Sequence, residues 1–263
     1  MSQIIQIDTK STPSRVGRGI LSLPKKYSAL YPSQKCEVKI KDIYDNELLC
    51  SFSPQSSNHA EPRIGKLLPF FRKNNVFGGE EITLHMISNL EWRLIPKSKY
   101  SEEIKNSEIR IEKLIDDTLI DNELQLVSVL SGYKREKDYV INRLRTSIDS
   151  EIDNRKEHAI VSAKNRQPLP PYLKRMYKTI SPLCICQVSG RRGFIMKNGE
   201  RYIEFHHINP TIGHHPKNIL MLCADIHRMF HYARLKYEYD NQGWLRNVTF
   251  PDMEKSYNIS PIL

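Results

Sequence analysis

The sequence predicts an α+β chain in three parts: a small β barrel over residues 1–97, a helical segment over 98–167, and a C-terminal domain over 168–263 built on a strand–loop–strand–helix unit. Three observations carry that reading. Short runs of period-two alternation crowd the first part, apolar residues recur at helical spacing in the second, and six of the nine histidines fall between positions 206 and 231 in the third.

In the first part, Gly19-Ile20-Leu21-Ser22-Leu23-Pro24 is an extended run that stops at a proline. Residues 36–41 alternate apolar with charged, and Asp45-Asn46-Glu47 marks a turn before the apolar run 48–52. Residues 81–87 alternate again, residues 91–95 close the set, and residues 67–74 predict a short helix whose aromatics cap the barrel mouth. Strands this short and this closely spaced favour a small barrel. In the second part, Ile111, Leu114, Ile115 and Leu119, then Ile141, Leu144, Ile148 and Ile152, predict amphipathic helices separated near Gly132. This segment suits a spacer and a dimerisation element equally. Pro168-Leu169-Pro170-Pro171 breaks the helix and opens the last domain.

Composition narrows the classes. With 39% hydrophobic and 27% charged residues among 263, wholesale disorder is excluded and each part can bury a core. No apolar run approaches the ~18–20 residues of a membrane span, and the start Met1-Ser2-Gln3-Ile4-Ile5-Gln6 has no basic segment leading an apolar one. The expectation is a soluble, cytoplasmic protein with no membrane partner. The net charge of +10 divides as +6 over residues 1–100, −3 over 101–164 and +7 over 165–263. Two basic lobes fit a protein that grips one polyanion at two places; they also fit ordinary Lys/Arg-rich solubility charge. Five cysteines, an odd number, argue against a disulfide framework, and Cys36 and Cys50 sit in apolar, strand-like contexts as inert core residues.

The histidines bear the chemistry. Alternation from Arg201 into His206-His207 predicts a strand, the apolar run after Asn218 a second strand, and Ala224 to about Leu235 a helix. On that helix His227 and His231 are four residues apart, so both imidazoles leave one face at adjacent turns, as two metal ligands on a helix require. A strand ending in a His pair, an Asn opening the next strand and two helical His resemble the His-Asn-His (HNH) nucleases of the ββα-metal class over roughly residues 180–235. The resemblance implies His207 as general base and His206 as a metal ligand, with His227 and His231 matching the helical ligands of the colicin-type branch. Asn218 matches the asparagine of that catalytic set, in the role of a brace for the catalytic loop. The ion implied is divalent, Mg²⁺ first, with Mn²⁺, Ni²⁺ and Zn²⁺ as alternatives at a histidine site. A neutral imidazole at His207 can take a proton from water near neutral pH, so activity should decline below about pH 6.5. Arg228, on the same helix, is a candidate for backbone phosphates, whereas Lys217 reads as solvated surface charge.

Many relatives hold a structural zinc with two Cys-x-x-Cys pairs. Here Cys184-Ile185-Cys186 is one spacer short, and the second pair is reduced to Cys223 with Ile226 in its partner's place. The expectation is that the zinc has been lost and the thiols are packed; a site of Cys184, Cys186 and Cys223 with a borrowed ligand is the alternative.

The order of Leu23-Pro24-Lys25-Lys26-Tyr27, the apolar run 48–52, residues 63–71 and Gly78-Gly79-Glu80-Glu81 is similar to the DNA-binding pseudobarrel of plant B-three-type transcription factors and EcoRII-type restriction enzymes. Those barrels grip the major groove with two loops, which here would be residues 9–18 and 53–63. The resemblance makes Arg15 and Arg18 candidates for guanine, Gln55, Asn58 and His59 candidates for base edges, and Lys25, Lys26, Arg72 and Lys73 candidates for phosphates. A sequence reader joined to a metal nuclease implies a Type II-like, sequence-specific endonuclease acting on double-stranded DNA, with a homodimer to cut both strands. A modification-dependent endonuclease, a homing endonuclease and a non-catalytic DNA-binding regulator with a decayed nuclease fold are the rivals.

Overall fold

The computed structural model describes residues 5–54, 61–154, 168–209 and 213–263. The chain divides into two compact units, Met1–Lys113 with Thr118–Tyr133, and Leu114–Asp117 with Lys134–Leu263. The helical segment is thus shared between them, its first two helices with the first unit and its third with the second.

The first unit runs β1 (Ile5–Lys10), α1 (Pro13–Val16), β2 (Leu21–Ser22), β3 (Cys36–Lys41), β4 (Glu47–Ser53), β5 (Arg63–Gly65), α2 (Leu68–Lys73), β6 (Glu81–Met86), β7 (Glu91–Pro96), α3 (Tyr100–Lys113) and α4 (Asp117–Leu130). Alternation decides the strands: Val38 and Ile40 of β3, and Cys50 and Phe52 of β4, face the core, while Glu37 and Lys39, which alternate with the former, face water. The strands form one seven-stranded sheet in the order β1-β6-β7-β3-β4-β5-β2, with β3 and β7 the parallel pair. Its two edges nearly meet, since the Thr9 hydroxyl of β1 donates to the Ser22 carbonyl of β2 at 2.6 Å. Trp92 and Phe52 pack edge to face at 5.4 Å inside this almost closed barrel, and Phe70 and Phe71 of α2 are buried against the same core. Gly19 lets α2 come so close: its φ is +67°, and a Cβ there would stand 2.7 Å from the Leu68 nitrogen.

The sequence expectation of a helix through Ile111, Leu114, Ile115 and Leu119 is corrected. The chain breaks between α3 and α4, leaving Ile115 and Leu119 exposed, and α4 buries Ile120, Leu124 and Val127 instead. The two helices cover the outer face of β6 and β7, so the polar positions that alternation assigns to water (Thr83, His85 and Arg93) are buried. Burial, with the Arg93 guanidinium beside it, lowers the His85 pKa from 6.5 to about 4; Glu123 pulls the other way and Arg110 adds to the depression. The unfolded chain takes up that proton near pH 6.5 and the folded chain only near pH 4, so stability is full above 6.5 and falls as pH drops between the two values. A His85→Met chain should lack this component, on the order of 3 kcal/mol, in thermal melts compared at pH 7 and pH 4.5. Equal pH slopes for the two chains would overturn it.

The second unit runs α5 (Glu136–Asn154), α6 (Pro171–Ile180), β8 (Glu204–His207), β9 (Ile219–Leu222), α7 (Ala224–Tyr232), β10 (Lys236–Tyr239), β11 (Leu245–Phe250) and β12 (Lys255–Asn258). Gly132, with φ +80°, closes α4 and separates it from α5 as expected. β8 and β9 form an antiparallel hairpin that pairs His206 with Leu220 and His207 with Ile219. Tyr177 of α6 meets Phe205 at 5.8 Å, and Phe230 of α7 meets Phe250 of the β10-β11-β12 sheet at 5.9 Å. The hairpin is therefore held from α6 and α7 carries its histidines over a firm base. Among the described residues, no helix is long and apolar enough to cross a membrane.

Candidate active site

Strand alternation sends His206 and His207 to opposite faces of β8. His206 is buried and turns toward α7, where its ring lies 5.3 Å from His227, 5.0 Å from His231 and 5.0 Å from Phe230. On α7, Ile226 and Phe230 form the buried stripe, and His227 and His231 the stripe beside it. Their Nε2 atoms stand 3.2 Å apart. Two nitrogens that share one ion at ~2.0–2.1 Å, at right-angled to tetrahedral geometry, stand about 2.8–3.4 Å apart, so the pair fits a common cation. Among the described residues, His206, His227 and His231 are the one group of three or more metal-type side chains whose ligand atoms all lie within 4.8 Å of one another.

Glu204 completes this cluster, and the sequence reading did not single it out. Its carboxylate pairs with Nδ1 of His227, and its other oxygen accepts from the Tyr202 hydroxyl at 2.7 Å. A carboxylate on Nδ1 places the imidazole proton there, which leaves the Nε2 lone pair aimed at the cluster. The signal was present as Glu204-Phe205-His206, two residues apart on one strand and hence on one face.

His207 turns to the other face and meets His214, with Nε2 of His207 2.9 Å from Nδ1 of His214. Burial, then the neighbouring His214, lowers the His207 pKa below the usual imidazole value, and burial lowers that of His214. Asn218 is buried and its side chain is committed to backbone. Its Nδ2 donates to the carbonyls of Asn209 and Gly213, both at 2.8 Å, and its Oδ1 accepts from the Asn209 N–H at 2.7 Å. Arg228 is exposed on α7, whereas Lys217 donates to the Gln242 carbonyl at 2.6 Å and lies over the Trp244 ring.

Among the described residues, Cys184, Cys186 and Cys223 do not form a group whose ligand atoms all lie within 4.8 Å of one another. Cys186-Gln187-Val188-Ser189 forms the tight turn, and a serine stands where a second thiolate would be. The Ser189 amide donates to Cys186 Sγ at 3.4 Å, and the Ser189 hydroxyl lies 3.4 Å from Cys223 Sγ. Arg191 reaches into this cluster: Nη2 donates to Cys223 Sγ at 3.2 Å and pairs with Asp225, and Nε donates to Ser189 at 3.3 Å. A guanidinium thus ties the turn to the start of α7, while Cys184 is buried and its thiol pushed up by burial. The residues present do not fit a structural zinc.

Residues 186–235 match the HNH endonuclease family model. Every histidine of the cluster, with Asn218, lies inside the matched span. No curated protein matches the chain. Among solved structures, a hypothetical Arabidopsis thaliana protein is 11% identical with a TM-score of 0.31, covering 36% of this chain and 91% of that one. The N-terminal domain of Helicobacter pylori LlaJI.R1 is 12% identical with a TM-score of 0.27, covering 35% and 80%.

In the first unit, Arg15, Arg18, Lys25 and Arg63 line an open cavity of about 420 Å³ with Ser22 and Glu61. Arg15 donates to Glu61 at 2.8 Å, and that contact holds the Glu61 carboxyl below its usual pKa. Arg63 is the member the sequence reading passed over. Lys26 lies over the Tyr27 ring at 4.8 Å, Arg72 is exposed, and Lys73 pairs with Asp42 at 3.4 Å. Gln55, Asn58 and His59 lie outside the described residues.

Proposed function

We propose that the chain is a sequence-specific double-stranded DNA endonuclease of the Type II restriction kind, which hydrolyses phosphodiester bonds with a divalent ion and a histidine base. The observation that carries this reading is the convergence of His206, His227 and His231 within 4.8 Å, one residue along β8 from His207, whose pKa burial and His214 lower below the usual imidazole value. A divalent ion bound there would polarise a phosphoryl oxygen and offset charge on the leaving oxygen. His206, His227 and His231 would hold it, and Glu204 fixes the tautomer of His227. His207 takes the proton from the attacking water, and Asn218 ties Asn209 to Gly213. Arg228 contacts a backbone phosphate. The four cations around the cavity of the first unit suit the phosphates and guanine edges of a duplex, Arg15 and Arg18 being the base readers. Two copies are needed to cut both strands with one site each, which favours a homodimer.

Three imidazoles suit softer ions than Mg²⁺, so Mn²⁺, Ni²⁺ and Zn²⁺ belong beside Mg²⁺ in the deciding experiment. Methylated and unmethylated plasmid is digested with each ion and the ends are sequenced. Discrete ends at one sequence support the proposal, ends that appear only on methylated DNA turn it to a modification-dependent enzyme, and no cutting with any ion leaves a DNA-binding regulator.

A further inference from the structure

Resting on the nuclease reading above, we propose that His214 is a positioning residue for the general base: it accepts the Nε2–H of His207 and so keeps Nδ1 of His207 free to receive a proton from water. Two neutral imidazoles with nitrogens 2.9 Å apart must share one proton between them, and there are two ways to do it. If His214 donates, the proton of His207 sits on Nδ1, and neither of its nitrogens can act as a base. If His207 donates, its Nδ1 carries a lone pair. Only the second arrangement can take a proton from water. The water oxygen then gives its electron pair to phosphorus, the P–O bond breaks with its pair on the leaving oxygen, and solvent protonates that oxygen. The imidazolium so formed at His207 still donates from Nε2 to His214, the role an orienting acceptor plays behind a catalytic imidazole.

His214 is held in place by the backbone on both sides of it. Gly213 has φ +74°, a left-handed conformation that glycine adopts without strain, and its carbonyl accepts from Asn218 Nδ2 at 2.8 Å. The His215 carbonyl accepts from the Asn218 amide at 2.8 Å. The His215 ring is buried, and its Nδ1 accepts from the Lys217 amide at 3.2 Å, which caps the turn. Asn218 therefore grips the residues before and after His214, and the family's asparagine reaches the base through this second imidazole. The same side chain also ties Asn209, two residues beyond His207. The turn that presents His214 is thus fixed to the strand end that presents His207.

The test uses the full chain. In metal-free protein labelled with ¹⁵N-histidine, long-range ¹H–¹⁵N spectra should find His207 protonated on Nε2 in the wild type and a mixture of tautomers in His214→Ala. With Mn²⁺, single-turnover cutting by His214→Ala should fall roughly tenfold to a hundredfold, while calorimetric Mn²⁺ binding and duplex affinity stay at wild-type values. His214→Gln, whose carbonyl oxygen can accept from Nε2, should recover most of the rate. A wild-type His207 protonated on Nδ1 overturns the proposal, as does His214→Ala cutting at the wild-type rate or His214→Gln cutting no faster than His214→Ala. If the wild type fails to cut with any of the four ions, the nuclease reading fails, and the tautomer of His207 still decides the role of His214.

Discussion

Cutting by His207→Ala should fall about a hundredfold to ten-thousandfold below the wild type, the range that general-base removal produces, with duplex binding unchanged. The split between the two readouts is the point. The His207 ring is neither in the three-imidazole group nor in the cavity of the first unit, so its loss removes a proton acceptor and leaves ion and DNA contacts standing. Loss of cutting and ion binding together would instead make His207 a ligand or a structural residue. The wild-type profile adds a second reading. Because burial and His214 keep the His207 pKa below the ordinary imidazole value, the acid limb of the rate should lie below pH 6.5 rather than at it. A limb at or above 6.5 would show that the titrating group is some other side chain.

The strand–loop–strand–helix unit was legible because its signals are local. The strand ending in His206-His207, the strand after Asn218 and the helix through His227 and His231 each follow from residues adjacent in sequence, and they appear as β8, β9 and α7. What sequence could not supply is direction across the fold. Adjacent histidines on a strand point to opposite faces, so His206 joins His227 and His231 while His207 turns away to pair with His214. His214 could not be assigned from spacing, because what brings it to His207 is a left-handed Gly213 and the reach of Asn218. The contact of Arg191 with Cys223 has no spacing signature in a cysteine count. In the barrel, β3, β4, β6 and β7 were legible from alternation, whereas β5 is only three residues long, too short to show a period.

Arg93→Met should destabilise the first unit by about 3–5 kcal/mol, a large share of what holds a domain of this size folded. Arg93 alternates with Trp92 and Leu94 on β7 and on sequence alone would face water. Instead its side chain is 5% exposed: Nη1 donates to Glu103 at 3.0 Å and to Glu123 at 3.3 Å, and Nη2 to Asp45 at 2.7 Å. Arg110 donates to the same two glutamates at 2.6 and 3.0 Å. Without Arg93, two enclosed carboxylates share one guanidinium, and Glu103 is wholly buried, its pKa already raised by burial with both cations present. The cost is that of an uncompensated buried charge rather than of one lost hydrogen bond. Removing the carboxylate as well should therefore restore much of the stability, since Arg93→Met/Glu103→Leu leaves Arg110 paired with Glu123 and an apolar contact where the pair stood. Trp92, fully buried beside the substitution, reports the transition by fluorescence once the chain's other tryptophan is removed as Trp244→Phe. A double variant no more stable than Arg93→Met would mean that Arg93 acts through packing against α3 and α4 and not through its charge.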